Sequence, residues 1–232
     1  MRILFTLLLA VSTLTLSQAQ KAFQGTIEYS YQLEAGEGGE EAEMMAAYMP
    51  EKMITRYGDN RMATEMEGGL IANMMGRIIV NNGKSYVVKD AEKTIFEMSE
   101  EDMEEGKENF ENQEPAEQVA GETMEILGYT CQKYILAMDT GEGGKVEQVI
   151  WATDAFKAPQ LSIPNQGSVP TTGFMGGSGV EGLPMRIEIG TPEAKGALVM
   201  EAINLDDTPV EASYFDKPEG YTVKPFSEMM KF

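Results

Sequence analysis

Apolar and polar residues alternate with a period of two along much of this chain. The clearest run covers residues 23–33, where the odd positions are apolar or glycine and the even positions are polar. Successive side chains of a β-strand point to opposite faces, so this alternation predicts a strand with one buried and one solvated face. It is the strongest local signal in the sequence.

Further segments with strand patterns are separated by residues that favour tight turns. The glycine and asparagine groups at 58–60, 81–83 and 141–144 supply the positive φ angles that hairpin turns need. Sequential strands joined by such short turns build an antiparallel meander. The other predicted strands cover residues 52–57, 61–67, 77–80, 84–89, 94–98, 129–138, 145–152, 184–189, 197–205, 210–214 and 221–223.

Helical signals are few and short. Residues 69–76 hold enough apolar side chains for one or two helical turns. Ser99 is a favourable N-cap residue with Asp102 three positions later, which predicts a helix start over 99–106. Thr153 predicts a capped turn over 153–157. We expect these elements to be accessories to a mainly β fold.

Two segments are expected to be irregular. Residues 100–122 hold ten Asp and Glu against one Lys, which predicts a solvated acidic excursion. A calcium site there is the sharper alternative, although the residue spacing of an EF-hand loop is missing. Residues 158–183 are rich in Gly and Pro but also hold Leu161, Phe174 and Met175. They predict a long loop that covers the concave side of the sheet.

Residues 1–19 have the pattern of a secretory signal peptide. Arg2 gives a positive start, an apolar run follows, and Ser17 to Ala19 offer small residues for cleavage. The apolar run is about 14 residues long, shorter than the roughly 20 that a membrane-spanning helix needs. We therefore predict cleavage after Ala19 and one exported, soluble domain over 20–232 without a transmembrane segment.

Composition excludes several kinds of chemistry. The 232 residues include no His and a single Cys, Cys131, so histidine-based catalytic sets, internal disulfides and CxxC zinc sites are excluded. The formal charge of -20 argues against nucleic-acid binding, because affinity for phosphates depends on Lys and Arg. Cys131 is predicted to be a small buried hydrophobic residue. We assign no catalytic residue, no cofactor and no metal site.

Four short segments carry a family resemblance. They read FQGTIEY at 23–29, ILGYTCQKY at 126–134, VIWATD at 149–154 and FDKPEGY at 215–221. Together, and in this order, they resemble the DUF4412 family of exported bacterial proteins, common in Bacteroidetes and similar to the LolA and LolB lipoprotein carriers. The resemblance implies a curved antiparallel sheet forming an incomplete, half-open β-barrel, with short helices and loops plugging a cavity for acyl chains. It also implies a Gram-negative envelope and a periplasmic location.

Methionine is the compositional excess that invites a functional interpretation. The chain has 18 Met, and flexible, polarizable side chains suit a cavity that adapts to a lipid. Thioethers are also soft ligands for Cu(I). On one strand, however, Met62 and Met66 lie about 13 Å apart at about 3.4 Å per residue, which weighs against a shared ion. Eight methionines crowd between residues 44 and 75: Met44, Met45, Met49, Met53, Met62, Met66, Met74 and Met75.

The sequence therefore favours a non-catalytic binding protein for an apolar ligand, either a lipid or the acyl chain of a lipoprotein. Two alternatives stay open: a methionine-rich Cu(I)-binding envelope protein, and a structural or interaction module of the envelope that binds a protein partner and no small ligand. The residues predicted to line or cover the cavity are Met62, Met66, Leu70, Met74, Trp151, Phe156, Leu161, Phe174 and Met175.

Overall fold

Twelve β-strands dominate the computed structural model, which describes residues 21–35, 47–99, 102, 114–139, 145–159, 179–190 and 196–231. The strands are β1 (Gly25–Ala35), β2 (Lys52–Gly58), β3 (Arg61–Glu67), β4 (Arg77–Asn81), β5 (Lys84–Lys89), β6 (Thr94–Glu97), β7 (Glu117–Ile126), β8 (Tyr129–Asp139), β9 (Lys145–Thr153), β10 (Leu183–Gly190), β11 (Gly196–Asp206) and β12 (Thr222–Pro225). Shorter elements are the helix α1 (Gly69–Met75) and the 3₁₀-helices Asp90–Glu92, Ala212–Phe215 and Phe226–Lys231.

Two antiparallel meanders form the sheet. Strands β1 to β6 pair in sequence order, strands β7 to β11 do the same, and the meanders join where β1 pairs with β11. The order across the sheet is β12-β6-β5-β4-β3-β2-β1-β11-β10-β9-β8-β7. The sheet is open, with β12 and β7 at its edges. The predicted mainly β, antiparallel and incompletely closed architecture is confirmed.

Turn chemistry sets the register of the first meander. Asn60 has a φ of 50°, and Asn82 and Gly83 have φ values of 50° and 82°. These are the left-handed conformations that two-residue hairpin turns use. The turn at Asn60 aligns β2 with β3 so that Met53 lies opposite Met66.

One side of the sheet carries the main core, and we call it the inner face. Directly paired residues of adjacent strands share a face. Tyr31 pairs with Met200, Met200 with Ile187, and Ile187 with Ile150. These four residues therefore define the inner face across β1, β11, β10 and β9. The last three are buried, and Tyr31 packs against the same cluster.

The opposite, outer face has its own apolar cluster over β3 to β6. The ring of Phe215 packs there against residues such as Ala63 and Ile79, with no exposed surface. Asn81 Nδ2 donates a hydrogen bond of 2.9 Å to the Phe215 carbonyl. The predicted strand at 210–214 is therefore wrong. The chain turns into the 3₁₀-helix Ala212–Phe215 because that turn delivers the Phe215 ring to the sheet.

The two edge strands also correct the sequence interpretation. Residues 117–122, predicted to be part of the irregular acidic excursion, belong to β7. Most β7 side chains are exposed, so this edge strand forms with little apolar content. Strand β12 pairs with β6 in parallel, an exception to the predicted antiparallel pattern. The signal peptide at 1–19, most of the acidic excursion and residues 160–178 lie outside the described residues.

Two predicted side-chain caps are present, one at Ser99 and one at Thr153. Ser99 N and Oγ donate to Asp102 Oδ2 at 2.8 and 2.6 Å, and Asp102 N donates to Ser99 Oγ at 3.1 Å. This is the predicted cap. Thr153 Oγ1 accepts a 3.2 Å hydrogen bond from Ala155 N, which caps the turn after β9. Across the described ranges, no helix has the length and apolar character needed to cross a membrane.

Candidate functional site

A cavity of about 180 Å³ opens on the inner face where the two meanders join. The part of its wall that the structure describes contains five methionines and no charged residue. Strands β1, β2, β3, β10 and β11 form the floor, and α1 with the segment before β2 forms the remaining wall. The lining residues are Tyr31, Met49, Pro50, Met53, Met66, Ile71, Met75, Ile187, Ile189, Leu198 and Met200.

Helix α1 contributes only one of its faces to the cavity. Ile71 and Met75 are four residues apart, so they lie on the same side of the helix, and both line the cavity. Leu70 and Met74 are also four apart and are 49% and 60% exposed. The helix therefore separates an apolar cavity from an exposed apolar surface.

Glycine allows α1 to lie close to the segment before β2. Gly69 has a φ of 64°, and a Cβ atom there would lie 2.0 Å from the carbonyl oxygen of Met49. Such a distance is a severe clash, so any larger residue would displace either the helix or Met49. Since Met49, Ile71 and Met75 all line the cavity, this close backbone approach also determines the shape of the cavity.

A hydrogen bond orients one cavity sulfur. The Tyr31 hydroxyl donates to Met53 Sδ at 3.4 Å, and both side chains belong to the wall. Burial raises the pKa of Tyr31 to about 12, so the phenol stays protonated at neutral pH and keeps donating. The thioether of Met53 is thus held by a partner that carries no charge.

Aromatic rings fill the opposite end of the inner face. The Phe23 ring meets Tyr57 at 5.9 Å and Phe156 at 5.2 Å between centroids, both edge-on, and Tyr129 lies 5.6 Å from Phe156. Edge-to-face contacts of this kind add to the free energy gained by burial. We call these four residues the aromatic end, and the cavity with its lining the methionine end.

The predicted site residues fall into separate places. Met66 lines the cavity. Met62 is buried on the same face but pairs with Tyr57 near the aromatic end, away from the lining. Leu70 and Met74 lie on the exposed side of α1, and Phe156 belongs to the aromatic end. Leu161, Phe174 and Met175 lie outside the described residues, so their predicted role stays a prediction.

Trp151, another predicted lining residue, lies on the outer face. It pairs with Arg186, whose neighbour Ile187 points to the inner side. Trp151 Nε1 donates a 3.1 Å hydrogen bond to Glu188 Oε1, and Lys133 Nζ lies 5.6 Å from the ring centroid. Arg186 also pairs with Glu34, Glu188 and Glu201. Charged groups thus cover the tryptophan, on the side of the sheet away from the cavity.

Four of the five cavity methionines belong to the cluster that the sequence shows between residues 44 and 75, but only Met66 was predicted as a lining residue. Met53 lies opposite Met66 across the β2–β3 hairpin, and Met75, rather than Met74, points inward from α1. A two-residue turn at Asp59 and Asn60 would have aligned Met53 with Met66 from sequence alone. The contribution of Met200 depends on pairing between β1 and β11, for which no local signal exists.

Solved structures give matches of comparable length at low identity. An uncharacterized conserved protein from Thermus thermophilus is 9% identical with a TM-score of 0.43, covering 87% of this chain and 91% of that one. LprF from Mycobacterium bovis is 10% identical with a TM-score of 0.36, covering 81% and 88%. A LolA superfamily protein from Nitrosomonas europaea is 10% identical with a TM-score of 0.33, covering 86% and 91%. Likeness at this level identifies no ligand.

Sequence comparison gives a clearer result for the family. A search among curated proteins finds no significant match. The family model described as a domain of unknown function, DUF4412, matches residues 23–221. That range runs from Phe23, just before β1, to Tyr221, just before β12, and includes both meanders and the cavity. The chain therefore belongs to the DUF4412 family.

Proposed function

We propose that this protein binds an apolar ligand, such as the acyl chain of a lipid or lipoprotein, at the methionine end of the inner face. The observation that carries this proposal is the cavity itself, whose described wall is apolar apart from the Tyr31 hydroxyl. Burying hydrocarbon there gains about 0.8 kcal/mol for each CH₂ group.

The cavity volume limits how much of a ligand fits. An engineered apolar cavity of about 150 Å³ accommodates benzene, whereas ordinary ligand pockets begin near 300 Å³. At about 180 Å³, this cavity holds a short stretch of hydrocarbon. A longer acyl chain requires methionine side chains to change rotamer or α1 to move. Methionine suits this role, because it has three rotatable bonds and no branch.

The proposed role is binding without catalysis. Cys131 is the one thiol of the chain, and it is buried with no exposed surface. Burial and the nearby Asp154 raise the pKa of this thiol to about 11. A nucleophilic cysteine needs a lowered pKa, so the environment of Cys131 supports a structural role.

The test is uptake of cis-parinaric acid, a fluorescent fatty acid, by the full chain. Leu198→Trp places a large ring in the cavity and is expected to weaken uptake at least about tenfold, since several CH₂ contacts are lost. Ile203→Trp is the matched control, because Ile203 lies on the same strand and is 47% exposed. The proposal would be contradicted if the wild type took up no cis-parinaric acid. It would also be contradicted if the Leu198→Trp and Ile203→Trp variants, both folded, took it up equally well.

Export to the periplasm belongs to the same proposal. It rests on the signal-peptide pattern of residues 1–19. Expression of the full gene in a Gram-negative host should yield an envelope fraction in which mass spectrometry finds Gln20 at the amino terminus. A protein that keeps Met1 and stays in the cytoplasmic fraction would argue against export.

A further inference from the structure

The wall of the cavity is richer in methionine than an apolar lining requires. Of the eleven lining residues that the structure describes, five are Met. Burying a methionine side chain costs about 1.5–2 kcal/mol of rotamer entropy, against about 0.5–1 kcal/mol for leucine or isoleucine. Leucine at the same positions would fill similar volume at a smaller entropic cost. Flexibility is one reason to accept that cost, and the sulfur atoms, which leucine lacks, offer a second.

The sulfur-bearing side chains enter the cavity from several directions. Met53 and Met66 are direct cross-strand partners, and the Cβ atoms of such partners are about 4.5–5.5 Å apart. Met200 comes from β11, on the other side of β1. Met75 comes from α1, and Met49 from the segment before β2. These thioethers come from several elements around one cavity. The pair Met62 and Met66, by contrast, lies along a single strand.

The donor set suits a soft monovalent cation. Hard divalent cations take oxygen ligands, and the lining residues that the structure describes offer no carboxylate. Cu(I) prefers thioether and thiolate sulfur. The formal charge of -20 favours the approach of any cation through the field of the whole protein. The hydrogen bond from Tyr31 to Met53 Sδ fixes one sulfur at the wall before a metal arrives.

We propose that the cavity methionines bind one Cu(I) ion, with Met53 and Met66 as the central pair of ligands. Thioethers carry no proton, so binding releases none. Affinity at such a site is therefore constant between about pH 5 and 8, whereas thiolate and imidazole sites weaken as their ligands gain protons. The ion and an acyl chain would compete for the same space, although neither proposal depends on the other.

The experiment is an anaerobic titration of the full chain with Cu(I) against bicinchoninate as the competing chelator. We expect one ion per chain, bound more tightly than by free methionine and with unchanged affinity from pH 5 to 8. The double variant Met53→Leu/Met66→Leu keeps the volume of the cavity nearly constant and removes two sulfurs. Its Cu(I) affinity should fall at least about tenfold, because two soft ligands are lost.

The matched control is Met62→Leu/Met74→Leu, which removes two methionines outside the cavity lining and should bind Cu(I) like the wild type. Unfolding curves establish that both double variants are folded. Wild-type affinity no tighter than free methionine, or full Cu(I) binding by the Met53/Met66 variant, overturns the proposal. The acyl test uses a different probe and a different variant from the Cu(I) titration. Failure of one proposal therefore does not affect the test of the other.

Discussion

The two ends of the inner face solve the same packing problem with different side chains. At the aromatic end, Phe23, Tyr57, Phe156 and Tyr129 form ring contacts with centroid distances of 5.2–5.9 Å. At the methionine end, flexible side chains surround a void of about 180 Å³. Rings with two side-chain torsions pack in defined geometries, whereas methionine adapts to irregular space. One end therefore holds the sheet together while the other remains adaptable.

The largest difference should appear when each end loses one core side chain. Phe23→Ala is expected to lower the free energy of unfolding by about 3–5 kcal/mol, because Phe23 is fully buried and leaves a large hole among rigid neighbours. Met66→Ala should cost about 2 kcal/mol, since Met66 is only partly buried and already borders a void. Urea unfolding measures both values. Equal losses would mean that the methionine end is packed as rigidly as the aromatic end.

Alkaline pH probes a tyrosine at the methionine end. Burial raises the pKa of Tyr31 from its ordinary value near 10 to about 12. Below pH 10 both the folded and unfolded states keep this proton, so stability is unaffected. Between pH 10 and 12 the unfolded state alone releases it, so the free energy of unfolding falls with rising pH, by about 3 kcal/mol in all.

Tyr31→Phe should remove this loss of unfolding free energy at alkaline pH. The contribution of Tyr57 at the aromatic end, whose pKa is also raised by burial, should remain. Unfolding titrations at fixed pH values between 9 and 12 give the slope. A slope unchanged in the Phe variant would show that Tyr31 reaches solvent in the folded protein.

A smaller effect is expected from the contact between α1 and Met49. Gly69→Ala adds a Cβ that would lie 2.0 Å from the Met49 carbonyl oxygen and should displace α1 from the cavity. The positive φ accounts for about 1–2 kcal/mol of the expected loss of stability, and displacement of α1 relieves the clash. Hydrogen exchange of the α1 amides should become faster. Gly220→Ala is the control, with a φ of 76° and no heavy atom within 4 Å of the added Cβ. If the α1 amides exchanged at the same rate in the two variants, the helix would not lie against Met49.

Local patterns predicted most of the sheet. The bounds of β3 and β5 match the predicted segments, because turn residues lie directly before each strand, at 58–60 and 81–83. The segment at 210–214 was wrongly predicted as a strand. The chain bends there so that Phe215 packs on the face of the sheet, and an alternating pattern does not reveal such a contact. Strand β7 was missed for the opposite reason: its side chains are mostly exposed, so no buried face imposed a pattern.

The site was predicted less well than the fold. The sequence singled out methionine, and five methionines line the described wall of the cavity. Of the residues it named, Met74 lies on the exposed side of α1 and Met62 lies near the aromatic end of β3. Met62 and Met66 share a face, yet four residues of strand separate the aromatic end from the cavity. Trp151 differs from the inward residues Ile150 and Ala152 by a single position. Which face and which end a residue occupies depends on register across remote strands.

The pairing of β1 with β11 also determines when the cavity can form. Thr26 pairs with Asp206, so the first strand gains its second neighbour only after nearly the whole polypeptide is available. Contacts so distant in sequence form slowly, because a long loop must close first. The cavity takes its floor from both sides of this pairing. Before that pairing the cavity lacks part of its floor, and the ligand uptake that we propose would, during refolding, report the last long-range pairing.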